Sequence, residues 1–143
     1  IDDNRKTGVQ NWGVVAVVSP RCDGTGPGGP DSRVYKCLPG RETIAKDNPV
    51  QRKGPTDTCF GDSGGPFLVQ REIGDLDTVA LVRRIDRMDW SKKEPPVALA
   101  AVTSRSASSA SGPDCGDGGI YALIDEKVVA WLRRVGVRPT IVD

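Results

Sequence analysis

Residues 56–69 read TDTCFGDSGGPFLV and set a serine, Ser63, among Gly61, Asp62, Gly64 and Gly65. Glycines accept backbone conformations that other residues resist, so successive amides in such a stretch can turn toward one point. If the amides of Gly61 and Ser63 face the same oxygen they form an oxyanion site, and with the Ser63 hydroxyl as attacking group the chemistry is acyl transfer. Each such donor stabilises the developing charge by about 3–4 kcal/mol. A Gly-Gly-Pro turn with an incidental serine fits the same spacing, and the residues alone leave both readings open. A serine also needs a base. The sequence contains no histidine, so an imidazole has to come from outside these residues. A Ser-Lys dyad would require Lys36, Lys46 or Lys53 beside Ser63, and no spacing favours one.

The rest of the composition narrows what could position that serine. The 143 residues fit one domain or one part of a larger molecule, and 20 Lys+Arg against 19 Asp+Glu leave a net charge of +1. No global field therefore attracts nucleic acid or an anionic membrane. Seventeen glycines and 11 prolines argue for short strands joined by loops over a helical bundle, with 37% apolar residues giving a lean core. Cys22, Cys37, Cys59 and Cys115 contain no CxxC pair, so neither a zinc site nor a thioredoxin-type motif is indicated. Two disulfides formed in an oxidising compartment are expected, with three pairings open; four buried free thiols are the alternative. No apolar run approaches the roughly 18 residues of a membrane span, and Ile1 followed by two aspartates reads as the start of a mature or cleaved product. No metal or cofactor is implied.

Residues 13–18 (GVVAVV) predict a buried strand ending at Ser19-Pro20, and the Gly/Pro-rich 23–31 predict a loop without regular structure. A brief strand carrying Cys37 is expected over 33–38, followed by a long polar loop over 39–56. Further strands are expected at 66–70, 78–85, 97–103 and 119–124. A charged turn over 86–94 holds Trp90, either a partner contact or a cover for the sheet, and a flexible serine-rich loop spans 104–111. Residues 125–135 predict the one helix, with Val128, Val129, Trp131, Leu132 and Val135 on one face, Asp125 as cap, Arg133 and Arg134 at the end and Gly136 just beyond.

A cysteine followed by GDSGGP resembles the nucleophile segment of the chymotrypsin/trypsin-like serine proteases. The resemblance implies Ser63 as nucleophile, the Gly61 and Ser63 amides as oxyanion hole, and Asp62 as the acid that pairs with the N-terminal amine freed on activation. It makes Asp57, six residues before Ser63, the carboxylate at the base of a pocket for Arg or Lys, and it places Thr58, Thr103, Arg105 and Gly119 among the substrate-binding residues. Cys59 and Cys115 match a bridge between the pocket walls and Cys22 and Cys37 a second bridge. Gly119-Ile120-Tyr121 resembles the Gly-x-Tyr strand behind the pocket, Asn11-Trp12-Gly13 the opening of the family's second barrel, and residues 125–135 its closing helix. The matches cover only the C-terminal half of such a protease.

The architecture so implied is all-β: a six-stranded antiparallel Greek-key barrel of the trypsin-like fold with a C-terminal helix, pairing with an N-terminal barrel that carries the histidine and aspartate of the triad. Residues 1–10 are then an inter-barrel linker or a new N-terminus, 11–124 the barrel, and 125–143 the helix and tail. The implied function is that of the nucleophile-bearing chain of a secreted, two-chain, zymogen-derived serine endopeptidase. It would cleave after Arg or Lys and require no cofactor. The implied partners are the His-bearing chain, a protein or peptide substrate, and a protein inhibitor. The alternative is a non-catalytic, protease-like binding module. Two departures from the family pattern stand out. Thr103-Ser104-Arg105 replaces the usual Ser-Trp-Gly at the substrate edge, and eleven residues separate Thr103 from Cys115, more than the family typically has. Arg105 is either an inward partner for Asp57, which would neutralise the pocket, or a solvated loop cation.

Overall fold

A computed structural model describes residues 15–26, 28–47, 58, 62–70, 97–107 and 118–141. Among the described residues the regular structure is mostly strand, in keeping with the Gly/Pro content and short β-branched runs. Strands β1 (Val15–Ser19), β4 (Glu42–Asp47), β5 (Pro66–Gln70), β6 (Val97–Ser106) and β7 (Gly119–Leu123) form one five-stranded sheet curled into a half-barrel. Its order is β1-β4-β7-β6-β5 and every pairing is antiparallel. The expected strands at 66–70, 97–103 and 119–124 are present, and the first runs over β1. The expected strand at 78–85, the turn at 86–94 with Trp90, and Asn11-Trp12-Gly13 lie outside the described residues.

Four local expectations are overturned. Residues 33–38 hold no strand: Asp31–Val34 form a single helical turn, α1, with Asp31 in the position the macrodipole favours, and Lys36 then adopts φ 57°, which breaks any extended run. The polar stretch 39–56 is not wholly loop, because β4 lies within it, second from the sheet edge. The Gly/Pro-rich 23–31 contain a small two-stranded ladder, β2 (Thr25–Gly26) against β3 (Gly29–Pro30), tied further by the Asp31 amide to the Gly24 carbonyl at 2.9 Å. The flexible loop expected from 104 begins later as well, since β6 continues through Ser106.

The sheet has a core on each face, which explains why β4 is buried on both sides despite its polar ends. On one face Ile44 and Ile120, direct cross-strand partners, pack with Ala107, Tyr35 and the Cys22–Cys37 bridge. On the other, Ala45, Ala101 and Tyr121 pack with Val15, Phe67 and Leu123, and the Phe67 and Tyr121 rings lie 4.5 Å apart at 47°. The bridge, with Cα atoms 6.0 Å apart, closes a 15-residue separation over the first of these faces. Loop-closure entropy gives such a bridge about 3 kcal/mol of stabilisation, so replacing both cysteines by alanine should lower the unfolding free energy by about 3 kcal/mol in a urea titration; a loss below about 1 kcal/mol would contradict this.

The C-terminal helix α2 (Glu126–Arg134) forms as the capping residues dictate. The Val128 amide donates to Asp125 Oδ1 at 2.9 Å, and at the other end the Val137 amide donates to the Leu132 carbonyl at 2.9 Å across Gly136, whose φ is 90°. None of its residues is buried: Val128, Val129 and Leu132 are half-covered, while Trp131 and Val135 are 52% and 57% exposed. No helix among the described residues is long and apolar enough to cross a membrane.

Candidate functional site

The GDSGGP stretch enters the described residues at Asp62 and turns at once into β5. The Gly65 amide donates to the Asp62 carbonyl at 2.9 Å, closing a tight turn with Ser63 and Gly64 at its centre. Gly64 has φ 88°, which only glycine accepts readily, and a side chain on Gly65 would push its Cβ to 2.9 Å from the Asp62 carbonyl oxygen. Both glycines therefore follow from the turn's geometry. The turn is pinned to β6: the Gly64 amide donates to the Thr103 carbonyl at 2.9 Å, and the Thr103 amide to the Gly65 carbonyl at 2.8 Å. These two bonds continue the β5–β6 ladder past the Pro66–Val102 pair and fix where the Ser63 hydroxyl stands.

Ser63 is exposed, and its Oγ lies 3.5 Å from the Ser104 carbonyl, a long contact for a hydroxyl donor. The hydroxyl is thus held at the surface beside the end of β6. Of the lysines weighed for a dyad, Lys46 sits with its Nζ 4.8 Å above the Tyr35 ring, and Lys36 offers its carbonyl to Arg105. Lys53 lies outside the described residues. So do Asp57, Cys59, Gly61 and Cys115, and with them one oxyanion donor, the pocket carboxylate and the second bridge.

Thr58, Gly119 and Tyr121 form a second cluster. A Cβ on Gly119 would collide with Thr58 Oγ1 and with the phenol of Tyr121, so glycine is what lets the Thr58 side chain reach the wall of β7. Thr103 is buried and lies opposite Tyr121 in the β6–β7 register, which joins this cluster to the Ser63 turn through one strand. Thr58, Asp62, Ser63, Thr103 and Gly119, read from distant parts of the sequence, are carried by the ends of three neighbouring segments.

Arg105 is not a loop cation. It belongs to β6, and its guanidinium forks onto Glu42, Nη1 to Oε1 at 2.6 Å and Nη2 to Oε2 at 2.9 Å. Nη2 also donates to the Lys36 carbonyl at 2.9 Å and Nη1 to Ser104 Oγ at 3.2 Å. Glu42 and Ser104 are the residues that the sequence reading did not bring to the site. A glutamate in a stretch read as loop gives no signal of a partner 63 positions away, although its alternation with Thr43, Ile44 and Ala45 is what β4 requires.

Burial raises the Glu42 carboxyl, but the hydrogen bonds from Arg105 and from the Leu38 amide, together with the Arg105 charge, outweigh it and hold its pKa below the ordinary 4.5. The Glu42 bond raises the Arg105 pKa in turn, against a smaller opposing effect of burial. A carboxylate whose folded pKa is depressed stabilises the fold above its unfolded value, and that stability fades as pH falls through the folded value. Between about pH 5 and pH 3 the unfolding free energy of the native protein should therefore fall more steeply than that of a Glu42→Gln variant, read from urea titrations at each pH. Parallel declines would contradict the assignment.

No protein-family model matches the chain, and no curated protein is significantly similar to it in sequence.

Proposed function

We propose that the chain is the nucleophile-bearing half of a trypsin-like serine endopeptidase, with Ser63 attacking the scissile carbonyl and a histidine from outside these 143 residues as its base. The observation that carries the reading is the pinned turn: a GDSGGP stretch that resembles the family's nucleophile segment holds Ser63 at the surface, over the end of a strand whose edge continues beyond it. Pro66 pairs with Val102 and the turn with Thr103, so on the β5 side Ser104–Ser106 have no strand partner among the described residues. An extended peptide could pair with that edge as an added strand, which would bring its carbonyl to Ser63.

In this scheme the external imidazole takes the Ser63 proton as Oγ bonds to the carbonyl carbon. The amides of Gly61 and Ser63 receive the resulting oxyanion, and the protonated imidazole then passes its proton to the leaving amine. Water repeats the sequence on the acyl-enzyme. The pocket would be walled by Thr58 and Gly119, with Asp57 at its base for an Arg or Lys side chain and the Cys59–Cys115 bridge across it. Asp62, beside the nucleophile, would pair with the amine freed on activation.

The strand order supports the finer architecture, a six-stranded Greek-key barrel: β4 pairs with β7, the last strand of the run β5-β6-β7, as a Greek-key connection places it. Exposed apolar side chains at Val17, Val18, Leu99, Trp131 and Val135 are compatible with a second barrel as partner. The buried Cys22–Cys37 bridge is compatible with an oxidising compartment and so with secretion. The test compares Arg-peptide amide hydrolysis by the whole molecule with that by the isolated 143-residue chain. Turnover should require the histidine-bearing part, and full turnover by the isolated chain would refute the scheme. Binding of a protein partner with no turnover in either preparation would favour the protease-like binding module.

A further inference from the structure

The Glu42–Arg105 pair lies next to the proposed substrate edge, yet nothing in a serine-protease mechanism calls for it. Its geometry occupies both terminal nitrogens of Arg105. The four N–H bonds of the two terminal guanidinium nitrogens go to Glu42 Oε1, Glu42 Oε2, the Lys36 carbonyl and Ser104 Oγ. A guanidinium so engaged has no terminal N–H left for a ligand carboxylate or for a pocket acid. Glu42 is equally committed: its side chain is 7% exposed, and Oε2 also accepts from the Leu38 amide at 2.8 Å.

The pair joins β4 and β6 and engages three further groups, the Lys36 carbonyl, the Leu38 amide and Ser104 Oγ. Lys36 and Leu38 flank Cys37 of the buried disulfide, and Lys36 is held in the left-handed region at φ 57°. Glu42 begins β4. Ser104 sits at an irregularity in β6, where the pairing with β7 steps from Thr103–Tyr121 to Arg105–Ile120 and leaves Ser104 as the extra residue. That same residue turns its carbonyl toward Ser63 Oγ. An extra residue near a strand end, with no strand partner on the β5 side among the described residues, is a point free to shift, and the fork holds it against the disulfide-closed loop.

We propose that the side chains of Glu42 and Arg105 are positioning groups that fix the Ser104–Ser106 edge beside Ser63, so that an extended peptide meets a preformed strand, and that the Arg105 guanidinium does not contact substrate. The proposal rests on the protease reading for its second half only. The first half, that the fork orders this edge, concerns the chain whatever its activity.

The experiment uses the whole molecule with Arg105→Gln, Glu42→Gln, the double variant and the conservative Arg105→Lys, which keeps the charge but cannot fork. Hydrogen exchange reads the edge. The amides of Leu38 and of Ser104–Ser106 should exchange about tenfold faster in either glutamine variant, no faster again in the double, and at an intermediate rate with lysine, while the Ile44–Ile120 region stays protected. Kinetics read the function. KM for peptide amides that extend several residues on the acyl side should rise about tenfold, while kcat/KM for a single-residue arginine ester and the rate of fluorophosphonate labelling of Ser63 change by less than about twofold. Unchanged exchange in the variants overturns the clamp. Equal losses on the ester and the long peptide overturn its role in peptide alignment and leave a structural pair. Wild-type protein that neither labels nor hydrolyses overturns the protease reading and the second half of this proposal with it, and is told apart from failure of the clamp by the exchange data.

Discussion

Replacing Ser63 by alanine in the whole molecule is expected to lower kcat by about four to six orders of magnitude, the scale on which removal of a serine nucleophile acts when base and oxyanion donors remain. The size follows from the absence of any substitute. In the whole molecule the external histidine remains but has lost the hydroxyl it would activate, and Lys46, the one candidate lysine with a described ammonium contact, sits over the Tyr35 ring. Folding should be unaffected, because Ser63 is exposed and its hydroxyl makes a 3.5 Å contact to the Ser104 carbonyl, too long to contribute much. Melting temperature and active-site titration on the same preparation separate the two effects. A folded Ser63→Ala protein with more than about a hundredth of the wild-type turnover would remove Ser63 from the mechanism.

Changing Asp57 to asparagine should lower kcat/KM on arginine peptides by about two to three orders of magnitude, with smaller change on alanine or phenylalanine peptides. A carboxylate at the base of a narrow, desolvated pocket is compensated by a cationic side chain and left unpaired by an apolar one, so the discrimination lies in the acid itself. The strongest sequence-based objection was Arg105, which could have neutralised that acid from within. The fork on Glu42 argues against it, because all four terminal N–H bonds of Arg105 have acceptors other than Asp57, which lies outside the described residues. Comparing Arg, Lys, Phe and Ala at one position of otherwise equal peptides measures this directly. A preference for Phe or Ala in the native protein would take specificity away from Asp57.

What could be read from the sequence was whatever is decided locally. Helix α2 was legible from Asp125, the acid and base order of its ends and Gly136, because each acts within a turn of the helix. β5 and β7 were legible as short β-branched and aromatic runs next to glycine. The GDSGGP turn was legible as a constellation, and the structure supplies the reason for two of its glycines, Gly64 by its φ of 88° and Gly65 by the Asp62 carbonyl beside it.

What could not be read depends on distant partners. β4 is polar at both ends, and only the burial of Ile44 and Ala45 between two core clusters makes it a central strand. The pairing of Glu42 with Arg105 spans 63 positions and turns a supposed loop cation into part of a strand end. The small β2–β3 ladder is held by the α1 turn and the disulfide around it, which a reading of glycine and proline as breakers does not include.

The central claim is that Ser63 is a nucleophile activated by a histidine outside these residues, and one labelling experiment addresses it. The whole molecule is treated with a fluorophosphonate at neutral pH, beside the isolated chain and a Ser63→Ala variant, and the adduct is mapped by mass spectrometry. The account predicts a single stoichiometric adduct on Ser63 in the whole molecule, at most a trace in the isolated chain and none in the variant. An adduct on any other residue, or no adduct in a preparation that hydrolyses peptides, would contradict it.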